Sequence, residues 1–92
     1  MTTFSLVFTE TYNRQAAKWL VRHPEMRSQY LKTLQLLELN PFHPSLRLHA
    51  LGGRLAGVHS VSINLSYRIT LEMLVEGHEI VLLKVGDHDT VY

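Results

Sequence analysis

The chain has 92 residues, 46% of them apolar, with nine Lys/Arg against eight Asp/Glu and a net charge of +1. That composition suits one domain over residues 1–92 with a single modest core, and it is too apolar for disorder. Cysteine is absent, which excludes disulfides and thiolate metal sites and suits a reducing cytoplasm; the near-neutral balance means that a nucleic-acid partner must be argued from where the bases cluster. The opening MTTFSLVFTE lacks a basic n-region and a long apolar run, and no apolar stretch approaches a membrane span, so a cytoplasmic protein is expected.

TFSLVF at residues 3–8 reads as a short strand. Thr9 or Thr11 can then cap a helix, because a hydroxyl there accepts a bond from an orphan N–H of the first turn. Tyr12, Ala16, Trp19, Leu20 and His23 recur at helical spacing. Pro24 cannot continue that helix but can open a second one, with Glu25 at the positive end of its dipole. Met26, Tyr30, Leu34 and Leu37, with Leu31 beside them, give the second helix its apolar face, and Asn40-Pro41 ends it.

Beyond Pro44 the period switches to two. LRLHAL is predicted as a short strand closed by Gly52-Gly53. In VHSVSINLS, Val61, Ile63 and Leu65 alternate with Ser60, Ser62, Asn64 and Ser66, the mark of a strand with one buried and one wet face. In YRITLEMLV, Tyr67, Ile69, Leu71 and Met73 alternate with Arg68, Thr70 and Glu72. Glu76-Gly77 signals a hairpin, and HEIVLLKV, apolar on both faces and starting at His78, belongs inside the sheet. The fold class is therefore α+β: an N-terminal strand, a two-helix hairpin, then a twisted, mostly antiparallel run of about four strands.

Such a sheet leaves one face open. Ser62, Asn64, Arg68 and Thr70 would line it, joined by Arg47, His49 and Arg54 from the preceding strand and turn, and by Lys84, His88 and Tyr92 from the end. A trough of cations, imidazoles and one aromatic suits cleavage of RNA without metal. The 2′-hydroxyl attacks phosphorus, one imidazole takes its proton, another protonates the departing 5′-oxygen, and cations steady the phosphoryl charge. A carboxylate beside His88 favours its charged form, as a proton donor needs. No cofactor is implied, and no H-x₃-H or HExxH spacing offers a metal site. The plainer reading of Asp87-His88-Asp89 is a polar turn, that of His49 an exposed strand residue, and that of Arg68 a surface cation paired to Glu72.

LHALGGRLAG, the SYRI that opens a strand, and the closing VGDHDTVY together resemble the RelE/ParE superfamily of bacterial type II toxins, nearest the branch of YafQ and RelE/StbE-type mRNA interferases. The resemblance covers essentially the whole chain. It implies the RelE-like microbial RNase fold, a cognate antitoxin that wraps the toxin, and mRNA on the ribosome, in the decoding site beside rRNA, as substrate. It puts His49 at the catalytic histidine before the glycine turn, His88 at the histidine of the terminal Gly-x-His, and Arg68 at a phosphate-contacting arginine. Lys84 stands where an arginine usually does, keeping the charge and losing the fork. Tyr92 stands at an aromatic that closes the site, while Arg47 and Arg54 would hold RNA backbone. Ser62 and Ser66 replace a second histidine and an aspartate of YafQ-like members, and His59 has the strand parity of the core side, so it is no substitute. ParE-like members share the fold and inhibit DNA gyrase, which leaves that activity, or a catalytically degenerate antitoxin-binding domain, as alternatives.

Overall fold

The computed structural model describes residues 3–92. A short strand β1 (Ser5–Val7) leads into helix α1 (Glu10–Arg22), where Thr9 is the N-cap and its hydroxyl accepts the Tyr12 N–H at 3.1 Å. The helix stops at His23, whose backbone N–H reaches the Trp19 carbonyl. Pro24 opens a single 3₁₀ turn (Pro24–Met26), and α2 (Arg27–Leu39) continues from it. Met26, Tyr30, Leu34 and Leu37 are buried as expected, whereas Leu31 lies on the outer side, half exposed. The Tyr12 and Tyr30 hydroxyls meet at 2.7 Å and tie the two helices together inside the core. Burial raises both phenols above their ordinary value, so the pair stays neutral and one proton serves the bond.

Five strands follow the order β1-β5-β4-β3-β2, with β1 parallel to β5 and the rest antiparallel. They are β2 (His49–Ala50), β3 (His59–Ser62), β4 (Arg68–Leu74) and β5 (Glu79–Gly86). Helix α1 packs on β5 and α2 on β1, so the helical pair covers one face of the sheet. Val61, Ile69, Leu71, Ile80, Leu82 and Val85 meet Tyr12, Ala16, Trp19, Tyr30, Leu34 and Leu37 in one continuous core.

Several strand boundaries differ from those expected. LRLHAL pairs only at His49–Ala50, because Leu46 closes a 3₁₀ turn (Pro44–Leu46) and Arg47 takes a left-handed conformation at φ 51°. VHSVSINLS stops at Ser62: the Asn64 side-chain oxygen accepts the N–H groups of both Ser66 and Tyr67 at 2.8 Å, which turns the chain and leaves Leu65 84% exposed. His78 sits in the hairpin turn at φ 53°, not in β5.

Strand β5 carries a bulge. Thr70 pairs with Lys84 while the next residue, Leu71, pairs with Leu82, so Leu83 is the extra residue. The insertion flips the side-chain parity. Ile80 and Leu82 face the helices, then Val85 does, and Lys84 is released to the opposite face. Because β1 ends opposite Val81, the far half of β5 has no strand on that side. Gln15 takes its place: its amide donates to the Val85 carbonyl at 2.6 Å and accepts the Val85 N–H at 2.9 Å.

Candidate functional site

The register across the sheet places the side chains of the second face in rows. His49 lies opposite Ser60, Ser60 opposite Thr70, and Thr70 opposite Lys84. The neighbouring row runs Ser62, Arg68, Gly86. Since alternate residues of a strand share a face, Arg68 and Lys84 are diagonal neighbours on adjacent strands, and Arg68 faces a position with no side chain to crowd its guanidinium. Neither cation forms an ion pair among the described residues, so the pairing of Arg68 with Glu72 does not occur.

After Gly86 the chain folds back over this face as a one-turn helix, α3 (His88–Val91), which packs on β4 and β5. Two local devices set it there. Gly86 has φ 155°, and a Cβ at that position would stand 2.9 Å from the Thr90 side chain, so only glycine lets the turn close. Asp87 is the N-cap, and its carboxylate accepts the Thr90 N–H at 2.9 Å. That backbone bond, more than any other contact, holds the Asp87 carboxyl below the usual carboxylate range.

The helix carries Tyr92 across the sheet. Its hydroxyl donates to Ser60 Oγ at 2.8 Å. Ser60 is consequently 0% exposed and Thr70 3% exposed, which corrects the expectation that this face lies open along its length: its middle is roofed by the C-terminal segment. His88 stands edge-on to the Tyr92 ring, with ring centres 4.3 Å apart, and its Nδ1 is 3.7 Å from the Asp89 carboxylate on a well-exposed surface. At the other end of the row, His49 Nδ1 lies 3.0 Å from the Arg47 carbonyl. A carbonyl can only accept, so Nδ1 carries the hydrogen, and in the neutral ring Nε2 keeps a free lone pair.

Two groups of side chains result. Arg68, Lys84 and His88 gather at the α3 end, and His49 stands beside Ser60 at the β2 end. Three strand spacings, roughly 14 Å between backbones, separate His49 from Lys84. Tyr92 links the groups, with its ring on His88 and its hydroxyl on the serine opposite His49. Arg47 lies outside the rows, exposed in its left-handed turn and lining a cavity of about 220 Å³ with Ser45, Ser62 and Asn64. Arg54 is exposed in a 3₁₀ turn (Gly53–Leu55) between β2 and β3. Ser66 falls in the Asn64 turn, off the face, and His59 sits in β3 with the parity of Val61, on the core side. Sequence reasoning missed Ser60, Thr90 and Gln15. The i to i+3 pairing of Asp87 with Thr90 was the available signal for α3.

No protein-family model matches the chain, and no curated protein matches it by sequence. Solved structures match along its whole length. YafQ from E. coli strain BL21(DE3) superposes with a TM-score of 0.79 at 12% identity, covering 97% of this chain and 98% of that one. The chain has the fold of YafQ. A YoeB/ParE toxin from Agrobacterium tumefaciens gives a TM-score of 0.73 at 18% identity, covering 92% and 99%. A chain of the RelBE2 toxin–antitoxin complex from Mycobacterium tuberculosis gives 0.63 at 23% identity, covering 94% and 99%. On this fold the second sheet face, with its terminal helix, carries Arg68 and Lys84, which form no ion pair among the described residues, together with the imidazoles of His49 and His88. Among the described residues no three His, Asp or Glu side chains cluster to hold a metal, and no helix is long and apolar enough to cross a membrane.

Proposed function

We propose that the chain is the toxin of a type II toxin–antitoxin pair and an endoribonuclease that cuts mRNA on the ribosome by metal-independent 2′-hydroxyl attack. The observation that carries this reading is the placement of Arg68, Lys84, His88 and Tyr92 on one sheet face with no acid neutralising the two cations. Arg68 and Lys84 grip the scissile phosphate and stabilise the charge that builds on its oxygens. His88, exposed at the surface and beside Asp89, donates a proton to the leaving 5′-oxygen. His49 supports the base role through its free Nε2, and Tyr92, anchored on Ser60, stacks against or positions the RNA between them. Arg47 and Arg54, exposed beyond the rows, hold flanking phosphates. The partner that restrains this activity is a cognate antitoxin, by analogy with the complexes in which this fold is found; the compartment that fits ribosomal mRNA is the cytoplasm.

The separation of His49 from Lys84, with Ser62 and Ser66 in place of proton-transfer residues, supports a second reading as a ParE-like inhibitor of DNA gyrase. One experiment separates them. Purified protein is added to translating ribosomes with a defined mRNA and, in parallel, to a gyrase supercoiling reaction. Cleavage of the mRNA with intact supercoiling is the expected outcome; intact mRNA with blocked supercoiling reverses the assignment.

A further inference from the structure

Ser60 is the one fully buried serine of β3 and the turn that follows it; Ser62 is half-buried and Ser66 exposed. Its place on the floor beneath α3 joins it to both imidazoles. On one side His49 is its direct partner across the β2–β3 pair, where opposed Cα atoms stand roughly 5 Å apart and the two side chains share a face. On the other side Ser60 Oγ accepts the Tyr92 hydroxyl at 2.8 Å, and the Tyr92 ring meets that of His88 with centres 4.3 Å apart. The spacing in sequence brings those two rings together. Residues i and i+4 share one face of a helical turn, and the Tyr92 N–H closes the turn on the His88 carbonyl at 3.1 Å. Thr70, the other buried hydroxyl of this floor, turns to the Lys84 carbonyl at 3.5 Å, so Ser60 alone among the described residues receives the Tyr92 hydroxyl. Little else holds the His88 ring. Its side chain is 66% exposed, and the Asp89 carboxylate 3.7 Å away is fully exposed, so that pairing restrains it weakly.

We propose that Ser60 is a positioning residue for His88, acting through Tyr92; its effect on catalysis rests on the RNA-cleaving reading, whereas the contacts themselves do not. The buried hydroxyl fixes the far end of the tyrosine ring over the middle of the sheet. The ring in turn narrows the rotamers open to the imidazole, so the proton donor stands at a set distance from the floor. With His49 paired to the same serine, one residue references both imidazoles and sets the gap that a scissile phosphate must fill. Ser60→Ala removes the acceptor with almost no change in volume. The Tyr92 hydroxyl then turns to water, the ring lifts, and His88 loses its wall; small misplacements of a catalytic group are costly in rate.

Two readouts test this. In ¹³C/¹⁵N-labelled protein the wild-type chain should show NOEs between the His88 and Tyr92 rings. Ser60→Ala and Tyr92→Phe should each lose most of that intensity, while the core methyl resonances of Ile69 and Leu82 hold their shifts. On translating ribosomes each single variant should cut mRNA about tenfold more slowly at saturation with KM unchanged. The double variant Ser60→Ala with Tyr92→Phe should be no slower than either alone, because both changes break the same bond. Ring NOEs that persist in Ser60→Ala, or rate losses that multiply in the double variant, would overturn the proposal. The ring contacts are read without RNA, so a wild-type chain that leaves mRNA intact removes the cleavage reading alone, and the NOEs still decide whether Ser60 places the imidazole.

Discussion

The two faces of the sheet are closed by unlike means. The helical face is sealed by large apolar side chains from two 13-residue helices, interlocked with Ile69, Leu71, Ile80, Leu82 and Val85. The other face is roofed by a four-residue helix and one tyrosine, over a serine and a threonine. Area burial holds the first; a glycine, an N-cap and a hydroxyl pair hold the second. Loss of any one contact there is cheap for the fold and direct for the side chains that α3 positions. The comparison teaches that the fold's stability rests on one side of the sheet while the proposed activity rests on the other, and substitutions can be chosen to break each side alone.

The largest expected effect belongs to the second face. His88→Ala should lower RNA cleavage by about 10²–10⁴-fold, as removal of a positioned proton donor does, with no change in the thermal midpoint. Next comes the first face: Leu82→Ala should cost about 2–5 kcal/mol in a denaturant melt, because the site is walled by other core residues and cannot collapse. Gly86→Ala sharpens the contrast. It should displace α3, exposing Ser60 and Thr70 backbone amides to hydrogen exchange, while the amides of β5 near Ile80 remain protected. Tyr92→Phe should be milder, leaving Ser60 Oγ without its donor at a cost of about 1–2 kcal/mol and reducing cleavage more than stability.

The smallest effect is one of pH. The Asp87 carboxyl titrates lower in the folded chain than in an unfolded one, where aspartate sits near ~3.9. Its contribution is therefore present above that value and fades as pH falls through the lower folded value. The Thr90 amide resonance should report fraying of α3 only in that acid window, and Asp87→Asn, which can still cap, should remove the dependence.

Much of this architecture was legible in the residues. The turn at Pro24, the helical spacing of Tyr12, Ala16 and Trp19, and the alternation of Ile69 and Leu71 with Arg68 and Thr70 all carried through. Local periodicity reads burial because each side chain's neighbours follow from its own strand or helix. The failures lie where a non-local contact decides. Lys84 shares the simple parity of Ile80 and Leu82, and only the bulge at Leu83 turns it away from the core. Its charge, not its pattern, gave the right face, because an unpaired buried lysine is too costly. Ser60 reads as solvated from its own strand and is buried by a residue 32 positions away. Asn64 ends β3 early because its carboxamide captures two backbone N–H groups, which alternation cannot anticipate.

The most direct test is chemical. Attack by a 2′-hydroxyl leaves a 2′,3′-cyclic phosphate on one fragment and a 5′-hydroxyl on the other, and mapping those ends on mRNA from translating ribosomes reads the mechanism itself. The account predicts such ends with the wild-type chain and their loss with a folded His88→Ala variant. Wild-type chain that yields 5′-phosphate ends or no ends, or His88→Ala that cuts at the wild-type rate, would contradict it.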